Sequence, residues 1–182
     1  MRRLPSALAG LAALALIAAA CTPGGSGTST SAPSASDAAW RTTALTDVRT
    51  GEAVTIDALR GKLVAIEPMA IWCSNCRIQQ TEAVAATAAT ASEDLVYIGL
   101  DVDPNEQAAD LAAYSEQQGF DWPFAVVSTE VARSLAAEFG DQVLSPPSTP
   151  LILVGPDGTV IERHFGIRGA DELEALFRQH LP

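Results

Sequence analysis

The most constraining feature of this chain is a junction. An uninterrupted apolar run, Leu63, Val64, Ala65 and Ile66, is followed closely by Trp72-Cys73-Ser74-Asn75-Cys76-Arg77. An alanine-rich stretch with Glu and Gln comes next. A continuous apolar run suits a central strand buried on both faces. The alanine-rich stretch predicts a helix from Arg77 to about Ala91. A strand buried on both faces needs a covering layer on each side, so the chain is expected to be an α/β protein.

Two cysteines at such a junction carry chemistry. Thiolate, not thiol, attacks a disulfide. A helix N-terminus stabilises thiolate through its unpaired N–H groups and its positive end. Cys73 is therefore the expected nucleophile, exposed and acidified. Cys76 lies one turn along on the same face, placed to attack a mixed disulfide and resolve it. Arg77 adds positive charge, and Trp72 is expected to shield the site and pack against substrate. A zinc site would need further soft ligands. There is no second Cys pair, and His164 and His180 lack ligand spacing, so neither metal nor cofactor is expected. A purely structural disulfide closing so short a loop would constrain the unfolded chain little.

The rest of the chain supplies further elements. Residues 44–48 and 53–56 flank a turn containing Gly51 and predict a β-hairpin. Residues 57–61 predict one helical turn capped by Asp57 and stopped by Gly61. Residues 95–100 repeat the buried-strand pattern. Asn105 is expected to cap a helix running to Gln118, with Ala109, Ala112 and Ala113 on its apolar side. A short strand at residues 121–127 precedes a helix at 129–139. Strands at 151–154 and 159–165 flank the tight turn at 155–158. A helix at 170–180 carries Leu173, Leu176 and Phe177 on one face. The order predicts a mixed central β-sheet flanked by helices, with an N-terminal β-hairpin extension.

The first residues read as an address. Arg2 and Arg3 precede an alanine-rich apolar run at residues 7–20, shorter than the roughly 20 residues that span a bilayer. Residues 1–20 are therefore expected to be a signal peptide. The small residues before Cys21 resemble the lipobox of bacterial lipoproteins, although Ala18 stands where that family usually has Leu. The resemblance implies cleavage before Cys21 and a lipid on its sulfur. The protein would then be exported and tethered to the outer face of the cytoplasmic membrane. The chain has three cysteines; lipidation of Cys21 accounts for the odd one in an exported protein and leaves Cys73 with Cys76. The segment from Cys21 through residue 39 is rich in Gly, Ser, Thr and Pro and reads as a flexible linker. One domain, residues 40–182, follows. The net charge of −11 and the lack of any Lys/Arg cluster argue against nucleic acid as a partner.

Across residues 40–182 the chain resembles the thioredoxin superfamily, and most closely its membrane-tethered, extracytoplasmic TlpA/ResA-type branch. The resemblance rests on Trp72-Cys73-x-x-Cys76-Arg77 after a buried strand and on Thr149-Pro150 before another. It rests also on Gly155-Pro156-Asp157-Gly158 and on the lead-in Leu59-Arg60-Gly61-Lys62. It implies a thioredoxin-like fold and thiol–disulfide exchange with exported protein substrates, reduction being common in this branch and oxidation also known. A membrane redox partner is implied as well. Pro150 would be the family's cis-proline beside the disulfide, with the Thr149 backbone free to pair with an extended substrate. Glu67 matches a buried acid behind the disulfide, desolvated and able to take the proton of Cys76. Ser74 and Asn75 would tune the redox potential. Pro68-Met69 departs from the family's usual aromatic pair, and the strand is expected to end or bulge at Pro68. The competing class is a redox-inert thioredoxin-fold binding protein or a metallochaperone.

Overall fold

The computed structural model describes residues 37–182; the expected signal peptide, Cys21 and most of the linker lie outside the described residues. In chain order come α1 (Ala39–Thr42), β1 (Leu45–Thr46), β2 (Ala53–Val54), β3 (Leu63–Met69), α2 (Ser74–Thr90) and β4 (Leu95–Asp101). Then follow α3 (Ala108–Gln118), β5 (Phe124–Val126), α4 (Thr129–Phe139), β6 (Pro150–Val154), β7 (Val160–Phe165) and α5 (Ala170–His180). The five-stranded sheet has the order β5-β4-β3-β6-β7. Its strands β3, β4 and β5 are parallel to one another, β6 runs antiparallel to β3, and β7 runs antiparallel to β6. This is the expected α/β architecture with a mixed sheet.

The junction strand sits at the centre of that sheet, and every residue of β3 is buried. Its side chains alternate between two cores, as strand geometry requires. Leu63, Ala65 and Met69 join Cys76, Ala83 and Ala86 of α2, Leu111 and Tyr114 of α3, and Leu173 and Phe177 of α5. Val64 and Ile66 join Trp40 of α1 and Val131, Leu135 and Phe139 of α4. The hairpin β1–β2 docks on the edge strand β5, where the Val48 amide donates to the Phe124 carbonyl at 2.8 Å, and Arg49 of its turn ties it to the loop before that strand. Its guanidinium donates to the carbonyls of Phe120 (3.0 Å), Asp121 (2.8 Å) and Trp122 (2.9 Å).

Pro68 does not end β3. The strand runs on to Met69, pairing Pro68 with Leu100 of β4. The Leu63 amide donates to Asp94 on the β4 side, so by alternation the even-numbered amides of β3 point toward β6. The β3–β6 register pairs Val64 with Val154 and Ile66 with Ile152. Continued by two residues, it brings Pro68 opposite Pro150. Neither proline has an N–H, so the ladder stops there without an orphaned donor.

Three local expectations are corrected. The turn after β2 is a 3-10 helix (Ile56–Leu59) capped by Thr55, whose hydroxyl accepts the Ala58 amide at 3.1 Å. Asp57 instead pairs with Arg60 at 3.7 Å. Helix α3 begins at Ala108 rather than after Asn105, because Asp103 Oδ1 takes both the Asn105 amide and its side-chain Nδ2, each at 2.9 Å. Its buried face carries Leu111, Tyr114 and Ser115 instead of the alanines, the larger side chains covering more apolar area. Helix α2 starts at Ser74, one turn earlier than the composition indicates, because Cys73 itself is the cap.

Candidate redox site at the start of α2

Cys73 holds the N-cap position with extended backbone, and its Sγ accepts the Cys76 amide at 3.1 Å. The two cysteines are joined as a disulfide with a Cα–Cα separation of 5.3 Å. This geometry places the Cys73 sulfur over the unpaired amides of the first helical turn, where negative charge is favoured. Cys73 is only 2% exposed, against the expectation of an exposed sulfur. The sulfur that caps a helix turns inward, and Trp72 takes the exposed position beside it, at 59%. Cys76 is fully buried, its Sγ 3.3 Å from the carbonyl oxygen of Pro146. Asn75 Nδ2 donates to the Pro147 carbonyl at 3.0 Å. The start of α2 is thus tied to the loop that precedes β6, while the Ser74 side lies open to solvent.

Thr149 and Pro150 end that loop. Thr149 is buried and left-handed (φ 49°), a conformation costing roughly 1–2 kcal/mol for a residue other than glycine. It is also disfavoured before proline. The turn at Pro146–Ser148 holds it there: the Thr149 amide donates to Pro146 at 2.8 Å, so this N–H is engaged within the chain. Backbone strain of this kind concentrates at ligand clamps and active sites.

Glu67 is fully buried on the α2 side of β3. Burial pushes its carboxyl up to about 8, although hydrogen bonds from Tyr97 and Gln80 pull the other way. Tyr97 donates to Glu67 Oε2 at 2.8 Å. Glu67 Oε1 and Gln80 Nε2 each lack a partner at full hydrogen-bond geometry, yet the amide lies near enough to favour the ionised acid. Gln80 is one turn beyond Cys76, and its Oε1 accepts the Tyr114 hydroxyl at 2.6 Å. A polar network therefore joins the buried acid to the helix that carries the cysteines.

The sequence did not single out the link between β4 and α3. Trp72 Nε1 donates to Asp103 Oδ2 at 2.7 Å, and Ile71 N–H donates to the Glu106 carboxylate at 2.9 and 3.1 Å. Hydrogen bonds from the Asn105 amide and Trp72 hold Asp103 below the usual carboxylate range. The signal was legible: an acid-rich stretch following a parallel strand lies at the carboxyl edge of the sheet, where α/β sites gather. Among the described residues, no group of three His, Cys, Asp or Glu side chains is arranged to hold a metal ion. Nor is any helix there long and apolar enough to cross a membrane.

No protein-family model matches the chain, and no curated protein matches it in sequence. Solved structures do match in fold. One is a thioredoxin-family thiol:disulfide interchange protein from Chlorobium tepidum, 20% identical with a TM-score of 0.62, the match covering 76% of this chain and 92% of that one. Another is a secreted Mycobacterium tuberculosis disulfide oxidoreductase homologous to E. coli DsbE, 14% identical with a TM-score of 0.59, covering 75% and 94%. A third is BsSco, a member of the Sco family of cytochrome c oxidase assembly proteins, 18% identical with a TM-score of 0.60, covering 75% and 90%. The fold of this chain is thioredoxin-like.

Proposed function

We propose that the protein is a thiol:disulfide oxidoreductase that reduces disulfides of exported proteins through Cys73 and Cys76. The observation that carries this reading is the cysteine pair at the cap of α2, and one turn further along the same helix Gln80 belongs to a polar network around the buried acid Glu67. In the reduced protein the Cys73 thiolate attacks a substrate disulfide, forming a mixed disulfide and expelling one substrate thiolate. Cys76 then loses its proton and attacks Cys73 Sγ. The second substrate thiolate leaves, and the Cys73–Cys76 disulfide forms. Two electrons pass to the substrate, and a membrane redox partner supplies two more to re-reduce the pair.

Glu67 serves as the acceptor of the Cys76 proton. An acid near pH 8 lies close to the ordinary range of a thiol, so transfer between them is nearly balanced. Only the ionised form of Glu67 can accept that proton, so the step should quicken as pH rises toward 8. Trp72 offers an exposed aromatic face to the substrate, and the Thr149-Pro150 backbone borders the segment that would dock there. Ser74 and Asn75 tune the potential, Asn75 through its bond to Pro147.

We read residues 1–20 as a signal peptide and Cys21 as the lipidated residue that tethers the domain outside the cytoplasmic membrane. The support is the basic-then-apolar leader and the position of Cys21 at its end. The deciding experiment is the reduction potential of the pair in glutathione buffers. A value near −270 mV, thioredoxin's, supports a reductase, and one near −120 mV, DsbA's, assigns the opposite direction.

A further inference from the structure

We propose that Glu106 and Asp101 form a positioning pair for the redox turn: Glu106 grips the Ile71 amide, and Asp101, buried behind it, steadies that grip so that Cys73 Sγ stays over the first amides of α2. The proposal rests on the reading of Cys73 as the nucleophile.

Glu106 belongs to the link between β4 and α3, yet both its carboxylate oxygens receive the Ile71 N–H, at 2.9 and 3.1 Å. Ile71 opens the turn that ends in Cys73, whose own amide closes onto the Ala70 carbonyl at 3.1 Å. The turn is therefore held at its entry by Glu106 and at its exit by the helix. Asp103 of the same link holds the Trp72 indole. Three consecutive residues before α2 are thus placed by contacts from the turn itself and one neighbouring loop.

Asp101 supplies the independent observation. It ends β4, is fully buried, and accepts the Asp103 amide on Oδ1 at 2.9 Å. Its Oδ2 is buried without a hydrogen-bond partner at full geometry, with Glu106 and Asp103 the acidic groups acting on it. Burial first, then Glu106 and Asp103, push the Asp101 carboxyl up to about 8. At neutral pH Asp101 is thus mainly neutral and able to donate toward Glu106. Ionising it sets two carboxylates against each other behind the turn.

The test is alkylation of the fully reduced protein by iodoacetamide, followed on the Cys73 peptide by mass spectrometry from pH 5 to 10. This measures thiolate placement without a protein substrate, so a failure of disulfide exchange leaves it interpretable. Glu106→Ala frees the turn, and misplacing Cys73 Sγ from the Cys76 amide should slow its alkylation at pH 7 by about tenfold, the worth of one charge-assisted hydrogen bond. Glu106→Gln, whose amide oxygen can accept the Ile71 N–H, should stay within about twofold of wild type. The wild-type profile should depart from a simple one-group titration near pH 8, where Asp101 ionises, and Asp101→Asn should remove that departure. If Ala and Gln at position 106 speed alkylation equally, Glu106 acts only as a negative charge and the proposal is overturned. It is also overturned if a folded Glu106→Gln slows the reaction as Ala does, or if Asp101→Asn leaves the profile unchanged.

Discussion

The Tyr97 hydroxyl reaches Glu67 Oε2 at 2.8 Å from the neighbouring strand. The register places Tyr97 beside Ala65 and Gly99 beside Glu67, so the tyrosine approaches the acid from the adjacent rung. Gly99 has no side chain to offer, and the ring of Phe124 occupies the space a Cβ would need. The acid therefore has an apolar wall on that side and few polar neighbours. Desolvation wins over its hydrogen bonds, and its carboxyl titrates near 8.

Tyr97→Phe removes a bond that favours ionised Glu67, so the acid should titrate higher still. If Glu67 accepts the Cys76 proton, the pH dependence of mixed-disulfide resolution should move upward with it. Decay of the mixed disulfide against pH measures this. A profile that does not move in Tyr97→Phe and in Glu67→Gln removes the acid from the resolving step.

The same acid makes stability pH-dependent. Glu67 titrates near 4.5 in the unfolded chain and near 8 in the folded protein. Between those values the unfolded chain has lost a proton that the native state still holds, so stability falls as pH rises. Asp101, also raised to about 8, acts in the same direction. Glu67→Gln should therefore gain in denaturant midpoint relative to wild type between pH 5 and pH 8. An equal difference at both pH values would contradict the assignment.

Gly99→Ala tests the packing that isolates the acid. A Cβ there would collide with the Phe124 ring, itself fully buried. Overpacking of this kind costs about 1–3 kcal/mol, read as a lower midpoint in urea at unchanged slope. An unchanged midpoint would mean the ring has room to move.

Much of this was legible in the sequence because local chemistry and tertiary demand agree. The run at residues 63–66 is a central strand, and α4 spans Thr129–Phe139 as expected. Pro68 was misleading because its cost depends on which neighbour its amide would face, a property of register that one strand does not contain. Asn105 failed as a cap because Asp103 competes for it. Glu106 escaped notice because its partner, the Ile71 amide, becomes a neighbour only when β4 lies beside β3. Cys73 was expected exposed because sequence position cannot show which way a capping sulfur turns.

A substitution at Trp72 tests substrate binding apart from redox chemistry. Its ring is exposed and its indole N–H is anchored on Asp103. Trp72→Ala should leave stability within about 0.5 kcal/mol, as exposed positions usually do. Its reaction with a protein disulfide should slow by about tenfold, the loss of one aromatic contact, while a small disulfide such as oxidised glutathione is little affected. Equal loss with both substrates would assign Trp72 to the reactivity of Cys73 instead.

The central claim is tested most directly by mixing the reduced protein with an excess of a disulfide-bonded protein substrate and counting thiols. The account predicts that each Cys73–Cys76 disulfide formed matches one substrate disulfide reduced, and that Cys76→Ser accumulates a one-to-one mixed disulfide through Cys73. A pair that stays reduced, with no mixed disulfide trapped in Cys76→Ser, would contradict it.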